Sequence, residues 1–232
     1  MLKGIRVTLT AYTASFRIPT FVGYPLTLPA PPLSTVLGIL SAAKGVWILP
    51  EELPWLAYRC DYEARGWDLE YIVQIERKKV HDVPQPKPYP KTYGILPREF
   101  LVIPRLTLYL PSEWEEFFRR PRYNLLLGRT QDVATVEEIV PVELKAASAG
   151  EIGGVLLPQE VVFRHAFPAQ IFNLPVAFTG EPVRRPLRME IFGVIDAKRP
   201  GKFSGATDWF VRDETTGMVV PVYRREWLMG RT

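Results

Sequence analysis

The chain has 232 residues, 47% of them apolar and 23% charged, with a formal net charge of +4. That balance excludes a disordered chain and allows one large or two small domains with a substantial core. A single cysteine, Cys60, excludes an internal disulfide and a cysteine-based zinc site, while 23 prolines argue against a helix-only architecture.

The N-terminus enters a strand pattern directly and no apolar run reaches membrane-spanning length, so a soluble, cytoplasmic protein with no membrane association is expected. The modest positive charge permits a nucleic-acid partner without demanding one. Residues 3–12 alternate Ile5, Val7, Leu9 and Ala11 against Arg6, Thr8 and Thr10, which predicts a first strand. A loop containing Arg17 and Tyr24 follows. Pro29, Pro31 and Pro32 then hold the backbone extended ahead of a helix over 33–44. Leu33, Val36, Leu37, Leu40 and Ala43 form its apolar stripe, Ser34 or Thr35 is positioned to cap it, and Gly45 ends it. Its N-terminal amides can face a ligand.

Leu56, Tyr58, Cys60 and Tyr62, then Trp67, Leu69, Tyr71, Val73 and Ile75, alternate on either side of Arg65-Gly66, which predicts a hairpin. From Glu76 to Pro104 the pattern breaks into a proline-stiffened basic excursion with Arg77, Lys78, Lys79, Lys87 and Lys91, interleaved with His81, Tyr89 and Tyr93. Leu106, Leu108 and Leu110 resume a strand, and 113–120 read as a short helix, acidic first and basic last. Leu125–Leu127 and Val133–Val140 flank the polar turn Gly128-Arg129-Thr130-Gln131-Asp132. The order is that of a βαββαβ, ferredoxin-like unit with an insertion in its middle. After Pro141 the chain reads as β-rich, with strands at 155–157, 161–163 and 187–195 and a hairpin around 213–217. An α+β fold with a 1–140 domain, an insertion over 77–105 and a smaller β-rich region over 141–232 is expected.

Catalytic signatures are missing. No phosphate-binding loop, dinucleotide fingerprint or serine-nucleophile motif occurs, and the two histidines, His81 and His165, lie far apart in sequence. No cofactor or metal is expected. A metal-free ribonuclease needs only a general base and a cation, and His81 beside Lys78 and Lys79 is the one grouping of that kind. The 128–132 turn is the other candidate. Gly128 can take φ > 0 and admit a ligand to the backbone, Arg129 can make a charge-assisted bond to phosphate, and Gln131 can read a base edge. On that reading Arg129→Ala weakens RNA binding and leaves folding intact.

Three segments together, the first strand and loop ending in residues 27–45, residues 125–139 and the strand–insertion–strand between them, resemble the CRISPR-associated "Cas five" family of the RAMP superfamily. The likeness is greatest to the forms in type I-B Cascade complexes. Its most specific marks are the P-P-x-S-T-[VI]-x-G pattern at 31–38 and L-G-R-x-[QE]-D at 127–132, and it covers about the first 140 residues. The resemblance implies a ferredoxin-like (RRM-like) domain with a protruding thumb hairpin, in a non-catalytic subunit that holds the 5′ handle of the CRISPR RNA. It implies contacts with the backbone subunit and with the large subunit that reads the PAM, with target DNA nearby. Arg17, Arg77, Lys78, Lys79, Lys91 and Arg129 would then hold phosphates, and Tyr24, Tyr89 or Tyr93 would stack on bases. One branch of the family cleaves precursor RNA with a Tyr/Lys/His set, but its adjacent Lys-His pair is missing here: His81 follows Val80 and His165 follows Arg164.

Overall fold

The computed structural model describes residues 1–19, 25–74, 77–80, 83–86, 92–181 and 183–230; at 72–74, 77–80, 83–86 and 92–93 only the backbone is described. The chain runs through β1 (Leu2–Thr10), β2 (Thr13–Ala14), α1 (Leu33–Lys44), β3 (Trp55–Asp61), β4 (Ala64–Gln74), β5 (Arg77–Val80), β6 (Val83–Pro86), β7 (Thr92–Val102) and β8 (Arg105–Leu110). It continues with α2 (Glu115–Arg119), β9 (Leu125–Leu126), β10 (Val133–Ala146), β11 (Ala149–Ile152), β12 (Val155–Pro158), α3 (Gln159–His165) and β13 (Gln170–Phe178). The last elements are β14 (Pro186–Ile195), β15 (Gly201–Ser204), β16 (Phe210–Asp213), β17 (Val219–Arg224) and α4 (Arg225–Leu228).

The main sheet follows the order β1-β8-β3-β17-β16-β10-β9, and a further β1–β10 pairing closes its first six strands into an antiparallel, barrel-like ring. β10 makes the closure by pairing with β1 along most of its length and with β16 at its end, Leu144↔Asp213. Strand alternation sorts the ring's apolar side chains between its two faces. Trp55, Ala57, Tyr109, Val142, Leu144, Val211, Val220 and Val222 cluster on one face, joined by Leu2, so every ring strand contributes. Ile5, Val7, Leu9, Leu56, Tyr58, Cys60, Leu106 and Leu108 turn to the other face, where the stripe of α1 covers them. Cys60 is thus a buried strand residue, and burial pushes its thiol pKa up.

A polar clasp secures the ring. Asp213, fully buried, accepts from Arg6 Nη1 (2.6 Å), Tyr109 Oη (3.1 Å) and the Thr215 hydroxyl and amide (2.6 and 2.8 Å). Burial opposes its ionisation, but the bonds from Thr215 and Arg6 outweigh that and hold its pKa at about 2.

Several expectations change. β3 and β4 form no hairpin: β3 pairs with β8 and β17 in the ring, while β4 leaves to pair with β7 in a separate sheet. Alternation is the same on both sides of residues 62–63, so it could not show that the chain changes sheets there. The two-stranded arm of β4 and β7 accordingly begins at Ala64, before residue 77, with the β5–β6 pair between its strands in the chain. Pro84 and Pro86 fit that pair by standing opposite Lys79 and Arg77. The cap of α1 is Pro32 with no side-chain bond, in place of Ser34 or Thr35. Residues 161–163 lie in helix α3, where Val161 and Val162 are buried and Phe163 is not, a helical pattern too short to separate from a strand by periodicity. β10 runs from Val133 to Ala146, and β16 and β17 pair into the same ring as the N-terminal strands. No helix among the described residues is long and apolar enough to cross a membrane.

Candidate nucleic-acid interface

Two sequence patterns far apart in the chain meet at one place. α1 is fixed at its start because the Tyr58 hydroxyl donates to Pro31 O (2.9 Å) while the Tyr58 ring stacks on Tyr223 at 5.7 Å. The amides of Thr35 and Val36 both bond to Pro32 O, which leaves those of Leu33 and Ser34 without a partner among the described residues. Beside this end lies a cavity of about 310 Å³ lined by Ser34, Thr35, Gly38, Trp47, Gly128 and Arg184. Arg184 stands 4.7 Å over the Trp47 ring. Ser34, Thr35 and Gly38 of the 31–38 pattern and Gly128 of the 128–132 turn therefore line a common cavity.

Gly128 is there for backbone reasons. Its φ is +111°, and a β-carbon would sit 2.1 Å from Ser15 O. The close approach accompanies the bond from Ser15 N to Leu127 O (3.2 Å), which fastens the turn to the loop that follows β2.

Asp132, fully buried, organises the turn. Its Oδ2 accepts from Arg129 N and Nε, both at 3.0 Å, and its Oδ1 accepts from Arg129 Nη2 (2.9 Å) and the Thr13 hydroxyl (2.6 Å). By accepting from Arg129 N, Asp132 caps the backbone of its own turn. Arg129 is part of the fold: its side chain is only 10% exposed and two of its side-chain nitrogens serve this buried carboxylate. Nη1 is left buried without a hydrogen bond, 3.9 Å from Asp68 Oδ2. Gln131 is exposed at the tip.

The loop after β2 is pinned to the arm. Arg17 bridges Thr27, Phe16 N donates to the Thr27 hydroxyl (2.8 Å), and Thr27 N donates to Glu99 Oε2 (3.0 Å) on β7. Arg65, on β4, adds its guanidinium 3.3 Å from Glu99 Oε2. Arg17 projects exposed from this brace, with no side-chain partner among the described residues. Arg77, Lys78 and Lys79 form β5 and Tyr93 lies on β7, described by backbone alone, so the arm carries all four. Tyr24, His81, Lys87, Tyr89 and Lys91 lie outside the described residues.

His165 sits with Phe167, Phe203 and Phe210 at 5.5–5.8 Å between ring centres; burial, then Arg164, lowers its pKa. Its Nε2 is buried without a hydrogen bond, which fits packing better than proton transfer. Among the described residues no three His, Cys, Asp or Glu gather as metal ligands. Thr13, Trp47 and Arg184 belong to this candidate site and sequence reading missed them. Only the fold brings them to the two motifs, and no local pattern marks them.

The sequence matches no protein-family model and no curated protein. Solved structures do match. A chain of a CRISPR RNA-guided surveillance complex aligns over 87% of this chain and 91% of its own, at a TM-score of 0.54 and 18% identity. A CRISPR protein from Archaeoglobus fulgidus aligns over 96% and 100%, at 0.46 and 12%. A chain of the type III-B Cmr-beta complex bound to cognate target RNA and AMPPnP aligns over 85% and 86%, at 0.45 and 10%. The first of these three alone exceeds a TM-score of 0.5, and it establishes a shared fold across most of both chains.

Proposed function

We propose that this chain is a non-catalytic, RNA-holding subunit of a type I CRISPR effector complex, most like the type I-B Cascade subunit of the "Cas five" family. The observation that carries the reading is the fold shared over 87% of the chain with a chain of a CRISPR RNA-guided surveillance complex. The meeting of the 31–38 and 128–132 patterns at one cavity supports it, because those patterns also carry the family resemblance. We read β1, α1, β3, β8, α2 and β10 as the ferredoxin-like unit, since the strand order β10-β1-β8-β3 with one helix in each crossover is what βαββαβ produces. β16 and β17 then close that open sheet into the ring.

On this reading the 5′ handle of the CRISPR RNA crosses the foot of the arm. Arg17 supplies an unpaired cation, the α1 amides and the Gly128 turn supply neutral donors, and the arm adds Arg77, Lys78 and Lys79. Arg129 acts chiefly by holding the turn through Asp132. The backbone subunit and the large PAM-reading subunit flank the chain, and target DNA passes close by within the assembly. The test is an electrophoretic titration of purified chain against labelled RNA bearing the host's repeat-derived 5′ handle. Binding that weakens steeply with salt is expected, and failure to bind at low salt overturns the reading. Site-specific cleavage of the repeat by the purified chain would favour a metal-independent precursor-processing endoribonuclease instead.

A further inference from the structure

A second cleft, of about 660 Å³, lies where β14 turns into β15 against the foot of the arm. Pro29, Tyr62, Arg65, Gln170, Lys198 and Arg199 line it together with Asp196. Three cations thus face one carboxylate, and that carboxylate is committed. The Tyr62 hydroxyl lies 2.8 and 2.7 Å from its two oxygens, Arg65 Nη2 stands 3.2 Å from Oδ2, and Lys198 N donates to Oδ1 at 2.9 Å. Arg65 is committed as well, since its other amino group faces Glu99 at 3.3 Å.

The remaining two cations are available. Arg199 N donates to Asp196 O (3.0 Å), so Lys198 and Arg199 stand on a closed turn whose carboxylate end is anchored to Tyr62 and Arg65. Both are exposed; Arg199 has no side-chain partner among the described residues, and Lys198 has only the Tyr62 ring, 5.6 Å away. The apolar part of the lining is small, Pro29, Pro168, Ala169 and Val194, and Tyr62 is only 7% exposed, so the cleft lacks the aromatic anchor of a protein-binding hot spot. Free cations on a fixed turn over a polar cleft suit a phosphodiester chain.

We propose that this cleft is a second seat for single-stranded RNA, in which Lys198 and Arg199 hold a backbone phosphate and Gln170 bonds the adjoining sugar. Asp196, Tyr62 and Arg65 act as positioning residues. The proposal rests on the RNA-holding reading above and adds a contact from the C-terminal half of the chain.

The test uses the full chain, the Arg199→Ala variant and the Lys198→Ala/Arg199→Ala double variant, titrated with labelled oligouridylate and oligothymidylate over a salt series. A drop of about tenfold in RNA affinity is expected for the double variant, with the log–log salt slope shallower by about 0.7 for each phosphate that is no longer neutralised. A thiouridine-substituted strand should crosslink to the parent within 196–202. The Arg199 side chain has no partner among the described residues, so Arg199→Ala keeps the parent's urea midpoint and reads binding alone. A parent that binds RNA beside variants of unchanged affinity and slope overturns the cleft and spares the RNA-holding reading. A parent that binds no RNA overturns both. A weakening seen with oligothymidylate and not with oligouridylate overturns the assignment to RNA.

Discussion

Arg129→Ala separates a surface arginine from one built into the fold. Asp132 is fully buried and the Arg129 guanidinium gives it two bonds, at 3.0 and 2.9 Å. Stripping one partner from a buried pair costs about 3–5 kcal/mol, because the remaining charge stays out of water. Here Asp132 keeps the Thr13 hydroxyl and the amide of residue 129, each worth about 1 kcal/mol, so the net loss should be about 1–3 kcal/mol. In urea, with a slope of about 2 kcal/mol per molar, the midpoint should fall by roughly 1 M. Asp132→Asn on that background removes the stranded charge and should recover part of the loss, giving a coupling of about 1–2 kcal/mol in the double-mutant cycle. A loss below about 0.5 kcal/mol for Arg129→Ala would show that the clasp contributes no stability and would restore the arginine to the surface.

Gly128→Ala sets a β-carbon 2.1 Å from Ser15 O at positive φ and should cost about 2–4 kcal/mol, read as a lowered midpoint. Asp213 has its pKa depressed from 3.8 to about 2, so the clasp contributes fully above about pH 4 and is lost as pH falls toward 2. That window corresponds to on the order of 2 kcal/mol, and Asp213→Asn should flatten the fall in stability between pH 4 and 2 when unfolding is followed by fluorescence. Lys78→Ala/Lys79→Ala should flatten the salt dependence of handle binding, with an unchanged slope removing the arm from the site. Labelled repeat RNA should stay intact with or without magnesium, and a single cut abolished by His81→Ala would refute that.

The local elements were legible where pattern and length agreed. The stripe of α1, the first strand and the 213–217 hairpin all stand where periodicity set them. What the sequence withheld was non-local. Whether β3 turns back on β4 or joins β8 depends on partners some 50 residues apart, and alternation carries no partner's identity. Ring closure was hidden for the same reason, since β10 has to divide itself between β1 and β16. At the interface, the 128–132 turn was visible because Gly, Arg and Asp signal a polar turn. That Arg129 faces inward was not, because its partner's burial depends on Thr13, 119 residues from Asp132. Lys198-Arg199 carries no signal in the sequence, because a short basic run alone is most often a solvated surface.

The central claim, that this chain holds the handle of a CRISPR RNA, is tested most directly by its natural cargo. Affinity-tagged chain would be isolated from its host at moderate salt and the RNA bound to it sequenced. The account predicts short RNAs of varied sequence that share one repeat-derived 5′ end, recovered together with the backbone and large subunits. Recovery of the same protein complex with no RNA, or with RNAs lacking a common 5′ end, would contradict it.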